Sequence, residues 1–295
     1  MTAERLLSRQ KMSEQLQKDL DDVWYDYKEC VVDHIEEVED KWDHIDDEVW
    51  SKVIIMEKNK RVAKILLRKP NVGINNGEVG YSTSGVIGLR GFENSIRSKE
   101  TESVLKRVGK GCRISMDNGG NIIVNKFMNK NLYTRKSYEE LEPLDQTLPM
   151  VVFDMRKFQI RMKKEIRKGS PNWKQLREET VTTLVFVEAR SEPLEQPLWV
   201  LVINVVALDL LRNRMRTHAE AETASSSSSA GDTEAGARSG GSKVTRARSK
   251  SEGAAAEDGS GARKKKKFFG HPFSWHFKAP VPPVRIGSKV ESGLN

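Results

Sequence analysis

Apolar residues recur at Leu16, Leu20, Val23, Tyr27, Val31, Ile35, Val38, Trp42, Ile45 and Val49. Steps of three and four put them on one helical face, and neither Pro nor Gly interrupts residues 4–50. The spacing predicts a helix over 4–50. Near-heptad spacing permits a coiled coil, and the same pattern suits an amphipathic helix folded onto its own domain. The acidic outer face would repel an identical parallel copy, which favours the second reading.

The period changes at Lys52. Val53 to Met56 and Arg61 to Leu67 read as two strands, and Pro70 to Gly85 as a loop rich in Asn and Gly. Val86 to Leu89 is a third strand. Lys99 to Val108 is a helix with Val104, Leu105 and Val108 on one face, stopped by Gly109 and Gly111. Cys112, Ile114 and Met116 alternate into the turn Asp117-Asn118-Gly119-Gly120, and Ile122 and Val124 alternate out, which is a hairpin. Tyr133 ends a further extended piece, and 137–150 is an acidic loop. Val152 to Ile166 reads as a helix with Asp154 near its start, where a carboxylate suits the dipole. Val181 to Val187 and Trp199 to Val206 are buried strands around the loop Ser191 to Pro197. Leu208 to Met215 forms a short helix. From His218 onward Ser, Gly, Ala, Glu and Lys dominate to Ala262, a composition too poor in apolar surface to offset chain entropy. The organisation expected is an acidic amphipathic helix at 1–48, a β-sandwich domain at 49–217 and a disordered tail at 218–295.

Charge sharpens that division. Net charge is −10 over 1–48, +13 over 49–217 and +5 over 218–295. The contrast serves solubility, or else the arm and body attract each other, or the body meets an acidic partner. Cys30 and Cys112 make no disulfide framework, which points to a reducing compartment. No stretch reaches the roughly 18 apolar residues of a spanning helix. A cytoplasmic or nuclear protein without a transmembrane segment is expected.

The histidines are His34, His44, His218, His271 and His276, so none falls in 45–217. That span has no imidazole base, no His ligand and no Ser-His or Cys-His pair. Cys112 reads as a small core residue. Gly85 to Gly91 lacks the Gly-Lys-Ser/Thr of a phosphate loop, and Asp117-Asn118-Gly119 lacks the spacing of a calcium loop. Neither an enzyme nor a cofactor is expected.

Several strings carry a family likeness. Gly88-Leu89-Arg90-Gly91-Phe92, Val104 to Gly111 (VLKRVGKG), Cys112 to Met116, Gly120-Asn121-Ile122 and Val152 to Phe158 (VFDMRKF) resemble the Mad-homology 2 (dwarfin C-terminal) domain of the Smad family. Residues 56–64, 153–159 and 198–211 are most similar to the divergent expansion-type proteins. The resemblance spans about Trp50 to Leu211. It implies a Smad/FHA-type antiparallel β-sandwich with flanking helices, a role in protein–protein binding, homo- or hetero-oligomers, and an adaptor or scaffold in signalling or transcription, including epithelial tube or apical organisation. The N-terminal DNA-binding domain of Smads proper has no counterpart in 1–48, so sequence-specific DNA binding is not expected. The alternative is a nucleic-acid-associated transcription factor using the basic body and tail.

Two departures bear on mechanism. The chain ends Glu291-Ser292-Gly293-Leu294-Asn295, without the Ser-Ser-x-Ser tail of receptor-regulated Smads. The loop that would read phosphoserine, Glu188 to Pro197, sets Arg190 against Glu188, Glu192 and Glu195, which argues against a phosphate pocket. The tail carries short motifs. Arg246 and Arg248 stand three residues before Ser249 and Ser251, a basophilic-kinase spacing. Arg263, Lys264, Lys265, Lys266 and Lys267 suit nuclear import, an acidic membrane or plain solvation. Pro280, Pro283 and Arg285 have the arrangement of a polyproline ligand for Src-homology 3 modules.

Overall fold

The computed structural model describes residues 22–136, 138–144 and 148–228. Its elements in order are α1 (Tyr27–Asp40), β1 (Ser51–Glu57), β2 (Lys60–Leu67), β3 (Asn71–Asn75), β4 (Val86–Gly88), α2 (Lys99–Val108), β5 (Cys112–Met116), β6 (Ile122–Lys126), β7 (Leu132–Lys136), β8 (Glu142–Pro143), β9 (Met150–Phe153), α3 (Met155–Ile166), α4 (Trp173–Glu178), β10 (Val181–Phe186), β11 (Trp199–Asn204) and α5 (Val205–Ser228). The described residues up to 217 fall in one unit; the described part of a second, 218–228, is the end of α5.

One sheet runs β2-β1-β11-β10-β7-β8 and the other β4-β3-β5-β6-β9. Pairing is antiparallel except between β3 and β4, where Gly73 lies opposite Val86 in parallel register. The result is the expected sandwich with flanking helices. Between the sheets pack Val53, Ile55, Leu67, Val72, Ile74, Ile114, Val124, Leu184, Phe186, Val200 and Val202. The opposite face of the first sheet is buried as well: Ile54, Met56, Val185, Trp199, Leu201 and Ile203 pack against Cys30, Val31, Ile35 and Val38 of α1. Burial on both faces explains why β1 and β11 read as continuous apolar runs rather than alternating ones.

Three expectations change. The helix over 4–50 is confined, among the described residues, to Tyr27–Asp40, with a 3-10 turn at Trp42–His44. Ahead of it the chain is extended: Val23 bridges Lys60 at the edge of β2, Trp24 N–H donates to the Asn59 carbonyl, and Asp26 caps the helix by accepting from Glu29 N–H. The arm is therefore built into the core, and a boundary at 48/49 cuts through packed structure. Second, Asn71–Asn75, read as loop, is strand β3, because Val72 and Ile74 alternate into the core between polar and glycine positions. Third, Met150–Phe153 is strand β9, and α3 begins after Asp154, which accepts from Lys157 N–H. Helix α4 was not anticipated. Helix α5 starts at Val205 and continues to Ser228, beyond the expected short segment.

Candidate protein-interaction surface

Helix α1 is fixed to the first sheet by ions as well as by packing. Glu37 meets Lys52 at 2.7 Å, Arg61 at 3.2 Å and Lys41 at 3.2 Å, and also pairs with Lys64. Arg61 pairs with Asp22 at 2.5 Å and lies over the Trp24 ring. Arg68 bonds Asp46, and Arg177 of α4 reaches Glu39 at 3.2 Å. The electrostatic attraction between acidic arm and basic body is realised within the chain. Burial alone would raise the Glu37 carboxyl, but its bonds to Lys52 and Lys64 hold it far below the usual carboxylate range. Desolvation lowers the Lys52 ammonium to about 8, against the opposing pull of Glu37.

His34 lies inside this cluster, so a histidine does enter the folded body, on the arm that the sequence reading set apart. Its Nδ1–H donates to the Cys30 carbonyl at 2.5 Å, which leaves Nε2 to accept from Arg61 at 3.3 Å. Burial drives its pKa down to about 3, with Arg61 and Lys52 acting the same way. The neighbouring Cys30 thiol, with Sγ 3.7 Å from Nδ1, is pushed up to about 12 by burial and by Asp33. Both groups are neutral, so this is not an activated thiol–imidazole pair. Cys112 is likewise buried and raised to about 12.

The loop 188–197 is tied down by side-chain hydrogen bonds. It begins at Val187, whose φ of 70° is strained for a β-branched residue, where Glu188 N–H donates back to the Phe186 carbonyl at 2.8 Å. The buried Gln196 side chain donates to the carbonyls of Arg190 and Glu192 and accepts from Arg190 N–H. Thr101 of α2 donates to the Pro197 carbonyl at 3.0 Å. The cations here are already matched: Arg190 pairs with Glu188 and Glu100, Arg107 with Glu188, and Lys58 with Glu100. A phosphoserine would have to displace these carboxylates.

The least compensated charge lies on α3. Met155, Phe158 and Met162 face the core, while Arg156, Lys157, Arg161, Lys163, Lys164, Arg167 and Lys168 are exposed around an exposed Ile160. Lys157 reaches Asp154 at 3.9 Å, Arg161 reaches Glu179 at 2.7 Å and Lys168 reaches Glu165 at 2.6 Å. Arg156, Lys163, Lys164 and Arg167 make no ion pair among the described residues. The pattern reading took the apolar face of this helix and passed over its outer face. The signal was present, since 155–168 holds seven basic residues against Glu165 alone.

The tail residues Ser249, Ser251, Arg263, Lys264, Lys265, Lys266, Lys267, Pro280, Pro283 and Arg285 lie outside the described residues. Among the described residues no group of three His, Cys, Asp or Glu is placed to hold a metal ion. No described helix is long and apolar enough to cross a membrane.

The described residues thus combine a two-sheet sandwich, an ion-paired loop 188–197, a cationic outer helix and a buried, neutral Cys30–His34 pair. The family model of the MH2 domain matches residues 48–205. The chain belongs to this family, whose domain is a protein–protein interaction module. No curated protein matches the chain. Among solved structures, the chain is similar at 12% identity to the crystal structure of STAT2 in complex with IRF9, with TM-score 0.43, covering 57% of this chain and 99% of that one. It is similar at 12% identity to the crystal structure of the Interferon Regulatory Factor 9 IAD domain, with TM-score 0.42, covering 60% of this chain and 97% of that one.

Proposed function

We propose that this protein is a non-enzymatic adaptor or scaffold for signalling or transcription-regulatory complexes, working in the cytoplasm or nucleus without reading phosphoserine at loop 188–197. The observation that carries this reading is the neutralised loop. Arg190, Arg107 and Lys58 are already bound by Glu188 and Glu100, so a phosphate arriving at this loop would have to displace those carboxylates. Partners are engaged instead through surface charge and shape, chiefly at α3.

Affinity capture with the full chain as bait, competed by a phosphoserine-rich peptide, tests this. The expected result is a reproducible set of protein partners that the peptide does not displace. Absence of any stable protein partner, or capture abolished by the phosphopeptide, would defeat it. A second reading, association with nucleic acid, draws on the unpaired cations of α3. It requires binding to a duplex that falls with the logarithm of salt concentration and weakens in Lys163→Glu/Arg167→Glu.

A further inference from the structure

Two helices of this molecule carry matching stripes of opposite charge. On α1 the exposed acidic residues Glu29, Asp33, Glu36 and Asp40 follow steps of four, three and four. On α3 the exposed residues Arg156, Ile160, Lys163 and Arg167 follow the same steps, with Lys164 beside Ile160. Each stripe spans twelve residues, or about 16 Å of helix from first to last. Glu29, Glu36 and Asp40 make no ion pair among the described residues, and Asp33 only accepts from Trp24 Nε1. Both stripes are exposed, so neither covers the other within the chain.

Each stripe also runs on to the end where its own helix dipole opposes it, beyond Glu29 of α1 and Lys163 and Lys164 of α3, which lie at the favoured ends. Helix α1 has no basic residue in its last turn and ends at Asp40. Helix α3 has no acidic residue in its first turn, which holds Arg156 and Lys157. Both placements cost an isolated helix stability. Both become favourable when the C-terminal end of α1 lies beside the N-terminal end of α3. Antiparallel alignment puts Asp40 at Arg156, Asp33 at Lys163 and Glu29 at Arg167, and leaves Glu36 between Ile160 and Lys164.

We propose that the acidic face of α1 in one copy docks antiparallel on the cationic face of α3 in a second copy, making the chain its own partner. This rests on the adaptor reading and names one partner of the α3 surface. A single helix pair buries less than the roughly 1,200 Å² at which standard interfaces begin, so the contact is weak and salt-sensitive.

The test is sedimentation velocity of the full chain over a concentration series. Self-association is expected at low salt and is lost where the Debye length falls to about 3 Å. Two charge-reversed forms separate this contact from general stickiness: Glu29→Lys/Glu36→Lys/Asp40→Lys in α1, and Arg156→Glu/Lys163→Glu/Arg167→Glu in α3. Each alone should be monomeric, and an equimolar mixture should associate again. If circular dichroism shows either form unfolded, the milder Glu36→Gln/Asp40→Asn and Lys163→Gln/Arg167→Gln should each weaken association several-fold. A wild-type chain that stays monomeric at low salt overturns the proposal. So does a folded pair of reversed forms that fails to re-associate, or α3-dependent binding of a DNA duplex without self-association. Partner capture surviving any of these outcomes leaves the adaptor reading standing.

Discussion

The Lys52 ammonium, nearly buried on the first strand, lies 2.7 Å from the Glu37 carboxylate of α1, with 5% of its side chain exposed. It also donates to the His34 carbonyl at 3.3 Å. This pair ties the acidic arm to the outer face of the first sheet at the centre of its apolar contact.

Removing one member leaves the other without compensation. Glu37→Gln keeps the shape and strands Lys52 beside Lys64, while Arg61 retains Asp22. Loss of one partner of a buried pair costs about 3 kcal/mol or more. The expected outcome is a lower urea midpoint with an unchanged slope. A variant as stable as the parent would show that packing alone holds the arm.

The same cluster sets an acid limit. His34 is neutral in the fold, with a pKa lowered from 6.5 to about 3 by burial. The unfolded chain therefore binds a proton that the folded chain refuses. The His34 contribution is fully present above pH 6.5 and is lost progressively as pH falls from there towards 3, by on the order of 5 kcal/mol. Glu37, also depressed, adds loss of the same sign below its ordinary 4.5. Urea titrations at stepped pH should give a slope between pH 6.5 and 4.5 that His34→Gln removes, while the steeper loss below 4.5 remains.

At the loop, Glu100 and Glu188 are the groups that exclude a phosphate. Glu100→Gln/Glu188→Gln frees Lys58, Arg107 and Arg190 at one surface. Calorimetry with a phosphoserine peptide should show no measurable binding to the parent and a gain of affinity in the variant. Equal binding by both would mean that the loop was never closed to phosphate.

Two glycines of the Gly-Lys-Gly motif separate a conformational need from a spatial one. Both have positive φ, 56° at Gly109 and 61° at Gly111. A Cβ at Gly109 meets nothing within 4 Å, whereas at Gly111 it would lie 1.8 Å from the Ile74 carbonyl oxygen. Gly109→Ala should cost about 1–2 kcal/mol through strain alone. Gly111→Ala should cost more than about 3 kcal/mol, because β3 must move, and thermal melting should rank the two accordingly.

Elements with a strong local signal were legible. The helix at Lys99–Val108 has its Ser98 cap and its glycine stop, and the hairpin turn at 117–120 has residues suited to it. Strand β3 was hidden because Asn71, Gly73 and Asn75 look like loop residues until β5 pairs with 71–74 and β4 with Asn75. Helix α4 is only Trp173–Glu178, too short for a period to stand out. The arm looked separate because its charge differs from that of the body, and charge difference by itself does not distinguish repulsion from docking.

The sandwich, the family likeness, the acidic character of loop 188–197 and the lack of histidine between 45 and 217 are all legible along the chain. These are local patterns and counts. Tertiary structure decided that α1 belongs to the core, that Glu37 meets Lys52, and that the cations beside the loop are neutralised by Glu100 from a distant helix. Ion pairing depends on distances of a few ångströms between residues far apart in the chain, and those distances exist only once the sheets have formed.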